Sequence, residues 1–289
     1  MAAPISFKRR LERKLPRVAK SARQWTQAIA TGGRPETRLV FVVGAQRSGT
    51  RLPLQVLDHA SDISTFSEGT DPFFDGVLLR PLDQIEALVR RSASPIVALK
   101  PICETHRVNE LLDRFAGSKA IWIFRNYQDT VSSASIKWTS GKESLRRIAH
   151  REFGPGEWRV GGLTEEKFQL VSRLYHEDMS LHEANAVLWY LRNALFFDLK
   201  ADERSDVLLV RYEDLVARPR EQFARIFAFI GTSVPTDAVD AIKGSERAKR
   251  FVPGISHSVA ALCEDVQQRL IHHYSAQNQE SRATSEIGR

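Results

Sequence analysis

The chain has 289 residues, 42% hydrophobic and 27% charged, with a formal net charge of +7. A chain of this length buries roughly 75% of the surface it exposes when unfolded, so one large core is affordable and a disordered or fibrous class is excluded. The two cysteines, Cys103 and Cys263, give neither a zinc-ligand spacing nor a disulfide framework, and they read as buried or neutral thiols. The charge excess has one address. Residues 1–25 hold eight basic side chains and one acid, which leaves 34 of each sign in the other 264 residues. A neutral body argues against nucleic acid as a partner. The basic arm reads first as a solvated leader and second as a weak contact with an anionic membrane surface, with Pro16 interrupting any helix there. No apolar stretch reaches the ~18 residues of a membrane span. No apolar run follows the basic start as a secretory signal would require. A cytoplasmic location, peripheral to a membrane at most, is the expectation.

Residues 30–37 (ATGGRPET) form a linker. A buried strand is expected over 38–43 and a helix from Thr50 to Ala60, where Pro53 is tolerated in the first turn. A helix over 83–91 precedes the strand PIVALK at 95–100. A helix over 109–116, ended by Gly117, precedes the strand AIWIF at 120–124, which runs straight into Arg125. Asp129 is expected to cap or begin the next helix, which carries Ser132 and Ser133. Residues 139–180, rich in glycine and polar side chains, are the least regular stretch and are expected to form a lid or acceptor-binding region. A helix over 181–199 places Ala184, Leu188, Leu191 and Leu195 on one face. The strand VLLV at 207–210 and a helix over 219–230, with Gly231 as its C-terminal cap, follow. The tail from about residue 275 is polar and expected to be disordered. This alternation predicts an α/β fold with a mostly parallel sheet covered by helices on both faces. Ligands in such folds bind beyond the carboxyl ends of the strands.

The loop FVVGAQRSGT at 41–50 supplies the first chemistry. A strand emptying into a glycine turn that opens a helix aims backbone N–H groups at one spot, and a phosphate-like group is the natural occupant. Gly44 and Gly49 have the spacing of the nucleotide-hydrolase loop GxxxxGK[ST], but Thr50 stands where the lysine belongs. The basic residue comes earlier, at Arg47, and hydroxyls from Ser48 and Thr50 flank Gly49. Such a loop is poorly equipped for a triphosphate with magnesium. A guanidinium can instead fork onto a shorter anionic group.

GAQRSGT at 44–50, IFRNYQDTVSSA at 123–134 and LLVRYEDL at 208–215 together resemble the sulfotransferase family that uses 3′-phosphoadenosine 5′-phosphosulfate, over roughly residues 38–252. The resemblance implies a P-loop-like architecture, this nucleotide as co-substrate, and no metal. It puts Arg47, Ser48, Gly49 and Thr50 on the 5′-phosphosulfate. Arg125 and Ser133, eight positions apart, fall on the 3′-phosphate. Many members have a second threonine where this chain has Arg51, which either adds a donor to the phosphosulfate or faces the acceptor. Tyr212 lies either near the adenine or in the core. The stretch SERAKR at 245–250 resembles in position a loop that closes over the 3′-phosphate. Arg247, Lys249 and Arg250 are its candidates, against a solvated charge run.

Cytosolic members often carry a histidine two residues after a lysine, whereas here Lys100 is followed by Pro101 and Ile102. The chain resembles more closely the protein-tyrosine and bacterial carbohydrate types, which use a glutamate after the first helix. Glu68, 21 residues beyond Arg47 and expected to emerge from the helix 50–60 and a following turn, takes that place as general base. Glu104 and His106 are reserves and Asp71 a weaker one. Lys100 either stabilises the transferring sulfuryl group or has a structural partner. The expected organisation is an arm and linker over 1–36, a single sulfotransferase domain over 37–274, and a tail over 275–289. The acceptor is a hydroxyl compound, open between carbohydrate, lipid, peptide and small molecule. Two other readings remain: a small-molecule kinase, against which the missing lysine argues, and a non-catalytic, membrane-associated nucleotide-binding protein.

Overall fold

Leu39, Phe41 and Val43 point to one side of the strand Arg38–Gly44 (β1) and Val40 and Val42 to the other, and all five are buried. A strand apolar on both faces belongs in the middle of a sheet covered twice. In the computed structural model of the protein, which describes residues 36–70, 72–242 and 254–287 together with Lys20, Gln24 and Thr26, β1 has that place. The next strand is β2 (Ile63–Ser67). A small antiparallel hairpin follows, made of β3 (Phe74–Asp75) and β4 (Leu78–Leu79). The remaining strands are β5 (Ile96–Lys100), β6 (Lys119–Phe124) and β7 (Val207–Arg211). The main sheet has the order β2-β5-β1-β6-β7, and every neighbouring pair is parallel. Chain order reverses at β1, so the carboxyl ends of β1 and β6 flank the crevice where such sheets hold ligands.

Helices α1 (Arg51–Leu57), α2 (Leu82–Arg90), α3 (Val108–Arg114), α4 (Tyr127–Lys137), α5 (Gly141–Ala149) and α6 (Glu165–Leu174) precede the long α7 (Leu181–Asp198). After β7 come α8 (Tyr212–Ala217), α9 (Pro219–Ile230), α10 (Thr236–Asp240) and α11 (His257–Ile287). Leu54 and Leu57 of α1 and Phe223 and Phe227 of α9 fill the core on one face of the sheet. Val131 of α4, Leu191 and Leu195 of α7, and Cys263 and Leu270 of α11 fill the core on the other. Gly231 ends α9 in the left-handed conformation at φ 72°, as its sequence position predicted.

Three expectations need correction. The segment ISTFS, expected as a turn, is the edge strand β2. Ile63 and Thr65 are buried and pair in register with Ile96 and Ala98, while the serines between them made the segment look like a loop. The irregular stretch 139–180 contains two helices, because Leu145, Ile148 and Val171 supply helical anchors that reach the core and the glycines fall mostly between them. The tail from 275, expected to be disordered, continues α11 as far as Ile287. Its anchor is Gln277. The side-chain amide accepts from Leu209 N at 3.0 Å and donates to Val207 O at 3.1 Å, pairing with the free edge of β7 as a strand would. Arg225 completes this edge by donating to Leu209 O at 3.2 Å.

Of the basic arm, Lys20 and Gln24 touch the domain. Lys20 Nζ donates to Asp58 O at 2.6 Å, and Gln24 Nε2 donates to Ser61 O at 2.9 Å. The rest of residues 1–25, apart from Lys20 and Gln24, lies outside the described residues, as do Asp71, Arg247, Lys249 and Arg250. No helix among the described residues is long and apolar enough to cross a membrane.

Candidate active site

The loop after β1 owes its shape to two glycines with different neighbours. Gly44 has φ +131°, and a Cβ there would lie 2.2 Å from the Ile123 carbonyl oxygen of β6. Gly49 has φ +86°, and a Cβ there would lie 2.1 Å from Cδ2 of Tyr212. Thr105 ties the loop base, accepting from Gly44 N at 3.2 Å and donating to Gly44 O at 3.0 Å. Between the glycines, Arg47 takes φ 68°, a left-handed conformation that costs a non-glycine residue about 1–2 kcal/mol. Thr50 precedes α1 without making a side-chain cap, so its hydroxyl is not committed to the helix. Ser48 departs from expectation: it is fully buried, its Oγ has no partner, and it does not line the cavity.

The second expected segment meets the first. Arg47 donates from Nε and Nη2 to Ser133 Oγ at 3.2 and 3.0 Å, and its guanidinium lies 5.8 Å from the ring centre of Trp138. Arg125, at the end of β6, is only 8% exposed. Its guanidinium stacks 4.7 Å from the Tyr212 ring centre, Nη2 is 3.5 Å from Asp129, and Nε has no partner. Tyr212 therefore does two jobs: it backs Gly49 and supports Arg125. The cap of α4 is Asn126, whose Oδ1 accepts from Gln128 N and Asp129 N at 3.0 and 3.3 Å; Asp129, expected in that role, instead faces Arg125.

Glu68 follows β2 and Lys100 closes β5, adjacent strands that bring the two side chains together. They form an ion pair with both side chains largely buried. The other carboxylate oxygen of Glu68 accepts from Ile102 N at 2.7 Å. A carboxylate has about four acceptor sites, so these contacts leave capacity for a hydroxyl proton. The two reserve candidates that are described lie elsewhere. Glu104 is buried, accepts from Leu79 N and Arg107, and does not line the cavity. His106 also stays out of the cavity; burial, helped by Arg192 and Arg107, holds its imidazole down at about 4.

One cavity of about 1180 Å³ collects Arg47, Gly49, Thr50 and Arg51, then Glu68 and Lys100, then Arg125, Ser133 and Tyr212. Its further wall comes from α7 and the short helical turn Trp158–Val160. Arg192 of α7 is 6% exposed. It donates from Nη2 to the carbonyls of Ile102 and Cys103 at 3.0 and 3.1 Å, while Nε and Nη1 are unpartnered. Burial pulls its guanidinium down to about 10. Trp158 lies between Arg192 and Arg159, 5.4 and 4.5 Å from their guanidinium carbons. His106 shapes this turn: a Cβ on Gly161 would come within 2.4 Å of its ring. Cys103 also lines the cavity, and burial, with the Glu68 charge, pushes its thiol up to about 11. Both cysteines are free and buried, as expected. Among the described residues no group of three or more His, Cys, Asp or Glu side chains is placed to hold a metal ion.

The family model of the sulfotransferase domain matches residues 37–245. The chain belongs to the sulfotransferase family. This sulfotransferase is similar in fold to one from Alicyclobacillus acidocaldarius, with a TM-score of 0.51 at 17% identity over 84% of this chain and 96% of that one. The sulfotransferase domain from the curacin biosynthetic pathway gives a TM-score of 0.50 at 12% identity over 81% of this chain and 98% of that one. At these identities the likeness is one of fold alone. No curated protein matches the sequence.

In this sulfotransferase the loop, Arg125, Ser133, Glu68 and Lys100 share one cavity from four separate stretches of sequence. Sequence reasoning missed Thr105, Asn126, Trp158 and Arg192. A signal for Arg192 was present: it lies four residues after Leu188, beside the apolar stripe of the helix over 181–199, where a charge needs a reason.

Proposed function

We propose that this sulfotransferase moves the sulfuryl group of 3′-phosphoadenosine 5′-phosphosulfate onto an acceptor hydroxyl by in-line displacement, with Glu68 as general base. The observation that carries the reading is the convergence, in one cavity, of a lysine-free glycine loop, a separate arginine–serine pair and a buried glutamate–lysine pair. The residues fit the nucleotide. Arg125 is buried with an unpartnered Nε and only a long contact to Asp129, so its guanidinium has donors left for an isolated phosphate. Arg47 and Ser133 are hydrogen-bonded to each other, which supports a site in which the residues proposed for the two phosphates adjoin.

The co-substrate supplies the sulfuryl group. Glu68 takes the proton of the acceptor hydroxyl as its oxygen bonds to sulfur. The bond from sulfur to the bridging phosphate oxygen breaks, and that oxygen keeps the electron pair. Arg47, the loop N–H groups and Thr50 stabilise the charge that collects there. Lys100 holds Glu68 in place and presents a cation beside the group in transfer.

Calorimetric titration tests the donor assignment. Adenosine 3′,5′-bisphosphate should bind more tightly than ADP or ATP, and the reverse order would turn the reading toward a kinase. Glu68→Gln should lower kcat by about 10²–10⁴-fold while leaving bisphosphate affinity nearly unchanged. Wild-type turnover in that variant would remove Glu68 from the role of base.

A further inference from the structure

Arg192 is a charge without a counter-charge. Among the described residues no carboxylate lies within ion-pair distance of it, and a charged neighbour that acts on it is another cation, Arg159. Burying a guanidinium this way is unfavourable unless something opposite in charge meets it. Its structural work, one nitrogen on the carbonyls of Ile102 and Cys103, could be done by a neutral amide. Even with burial lowering it to about 10, the group stays protonated at neutral pH. The wall around Trp158 therefore holds two guanidiniums, Arg192 and Arg159, and one acid, Glu157, which Arg159 already engages at 2.7 Å.

Arg47 and Arg125, assigned above to the donor, line the cavity from the loop and the end of β6, and Arg192 lines it from α7, where its acceptor Ile102 O is also reached by Gln46 of the loop at 3.5 Å. Arg192 is connected as well to the proposed base. The peptide unit of Pro101–Ile102 gives its N–H to Glu68, and the next carbonyl, that of Ile102, accepts from Arg192. Glu68, Arg192 and Trp158 line the same cavity, so a molecule with its hydroxyl at Glu68 can reach Arg192 and the ring of Trp158 with its remaining part.

We propose that the acceptor of this enzyme carries a compact oxyanion, a carboxylate or a sulfate or phosphate monoester, seated at the wall formed by Arg192, Trp158 and Arg159. This rests on the sulfotransferase reading of the cavity and names the substrate class for it: an acidic hydroxyl compound, with Trp158 covering its ring or chain. Arg192 supplies the unbalanced charge, and Arg159 is the more exposed guanidinium at the surface of the wall.

The test uses matched pairs that differ in charge alone. 4-Hydroxyphenylacetate is compared with 4-hydroxyphenylacetamide, and glucuronate with glucuronamide; 4-hydroxyphenyl sulfate and 4-hydroxyphenyl phosphate separate a tetrahedral anion from a carboxylate. Binding to the full-length protein is read by saturation-transfer NMR and by Trp fluorescence, and transfer by release of label from the sulfate donor. At least one acid should bind about 10-fold or more tightly than its neutral partner. Arg192→Gln, which keeps an amide donor for the two carbonyls, should erase that preference and leave affinity for adenosine 3′,5′-bisphosphate unchanged. Arg192→Lys should keep part of the preference, and Arg159→Gln, at a half-buried position, should lose it a few-fold without loss of folding. Equal binding of acids and amides, a preference that survives Arg192→Gln, or an equal drop in bisphosphate affinity would each overturn the proposal. Bisphosphate binding without acid preference would sink the anion seat and leave the donor reading standing. Acid preference without bisphosphate binding would do the opposite.

Discussion

Two buried arginines line the cavity from different elements, and they are balanced differently. Arg125 closes a strand, stacks on Tyr212 and has Asp129 near it. Arg192 sits mid-helix, leans on Trp158 and has only backbone carbonyls. The loop and Arg125, proposed for the donor, thus contain part of their own counter-charge and are held by backbone geometry, through Gly44 and Gly49. The wall proposed for the acceptor is held by side-chain stacking and two backbone carbonyls and carries net positive charge. A loop shaped by backbone suits one invariant ligand group. A wall shaped by side chains can set which acceptor is chosen, and it can change without disturbing the loop.

The sharpest way to break this division is Gly49→Ala. The new Cβ would collide with Tyr212 at a backbone conformation that favours glycine, costing about 1–3 kcal/mol of stability. Because the displaced loop misplaces its N–H groups, bisphosphate affinity should fall on the order of 100-fold, while an acidic probe at Arg192 should bind as before. Calorimetry with each ligand separately reads both outcomes, and parallel losses would show that the two ends are one unit. Arg125→Ala should have a smaller effect of the same kind, weakening the bisphosphate about 10- to 100-fold by the loss of charge-assisted hydrogen bonds. Retained affinity would move the 3′-phosphate away from Arg125.

The smallest effect is on pH. His106 supports the turn that carries Trp158, and in the folded chain burial holds it at about 4 rather than near 6.5. The unfolded chain takes up this proton first, so the stability His106 contributes is complete above about pH 6.5 and is lost as pH falls toward about 4. Urea midpoints at pH 7.5 and 5.0 should differ less in His106→Gln than in the wild type. Trp fluorescence should report the wall loosening on acidification before bisphosphate affinity changes. An unchanged pH slope in the variant would take His106 out of this role.

The loop and the arginine–serine pair proposed for the donor could be picked out in the sequence because their parts are local. Gly44 to Thr50 is one uninterrupted loop, and Arg125 and Ser133 stand on one strand–helix junction. The strands themselves were legible for the same reason, since five-residue apolar runs such as AIWIF have little choice but the middle of a sheet. Glu68 was chosen through the family resemblance, which puts a glutamate after the first helix, although the strand that delivers it, β2, was read as a turn. The wall was not legible. Trp158, Arg192 and His106 meet only because the helices within 139–180 pack onto α7, which no local spacing encodes. The cap of α4 failed for a finer reason: Asn126 and Asp129 both suit a helix start, and only the position of Arg125 decides which is drawn away.

The amide of Gln277 matters beyond the fold it completes. β7 is an edge strand of parallel pairs, and such an edge offers free N–H and C=O groups to any extended chain that reaches it. One side chain from the last helix answers the groups of Val207 and Leu209, and Arg225 answers a third. The protein has in effect sealed its own seam with a polar stitch. Cutting it with Gln277→Ala should show itself less in the melting point than in concentration-dependent association, as copies of the sheet find one another edge to edge.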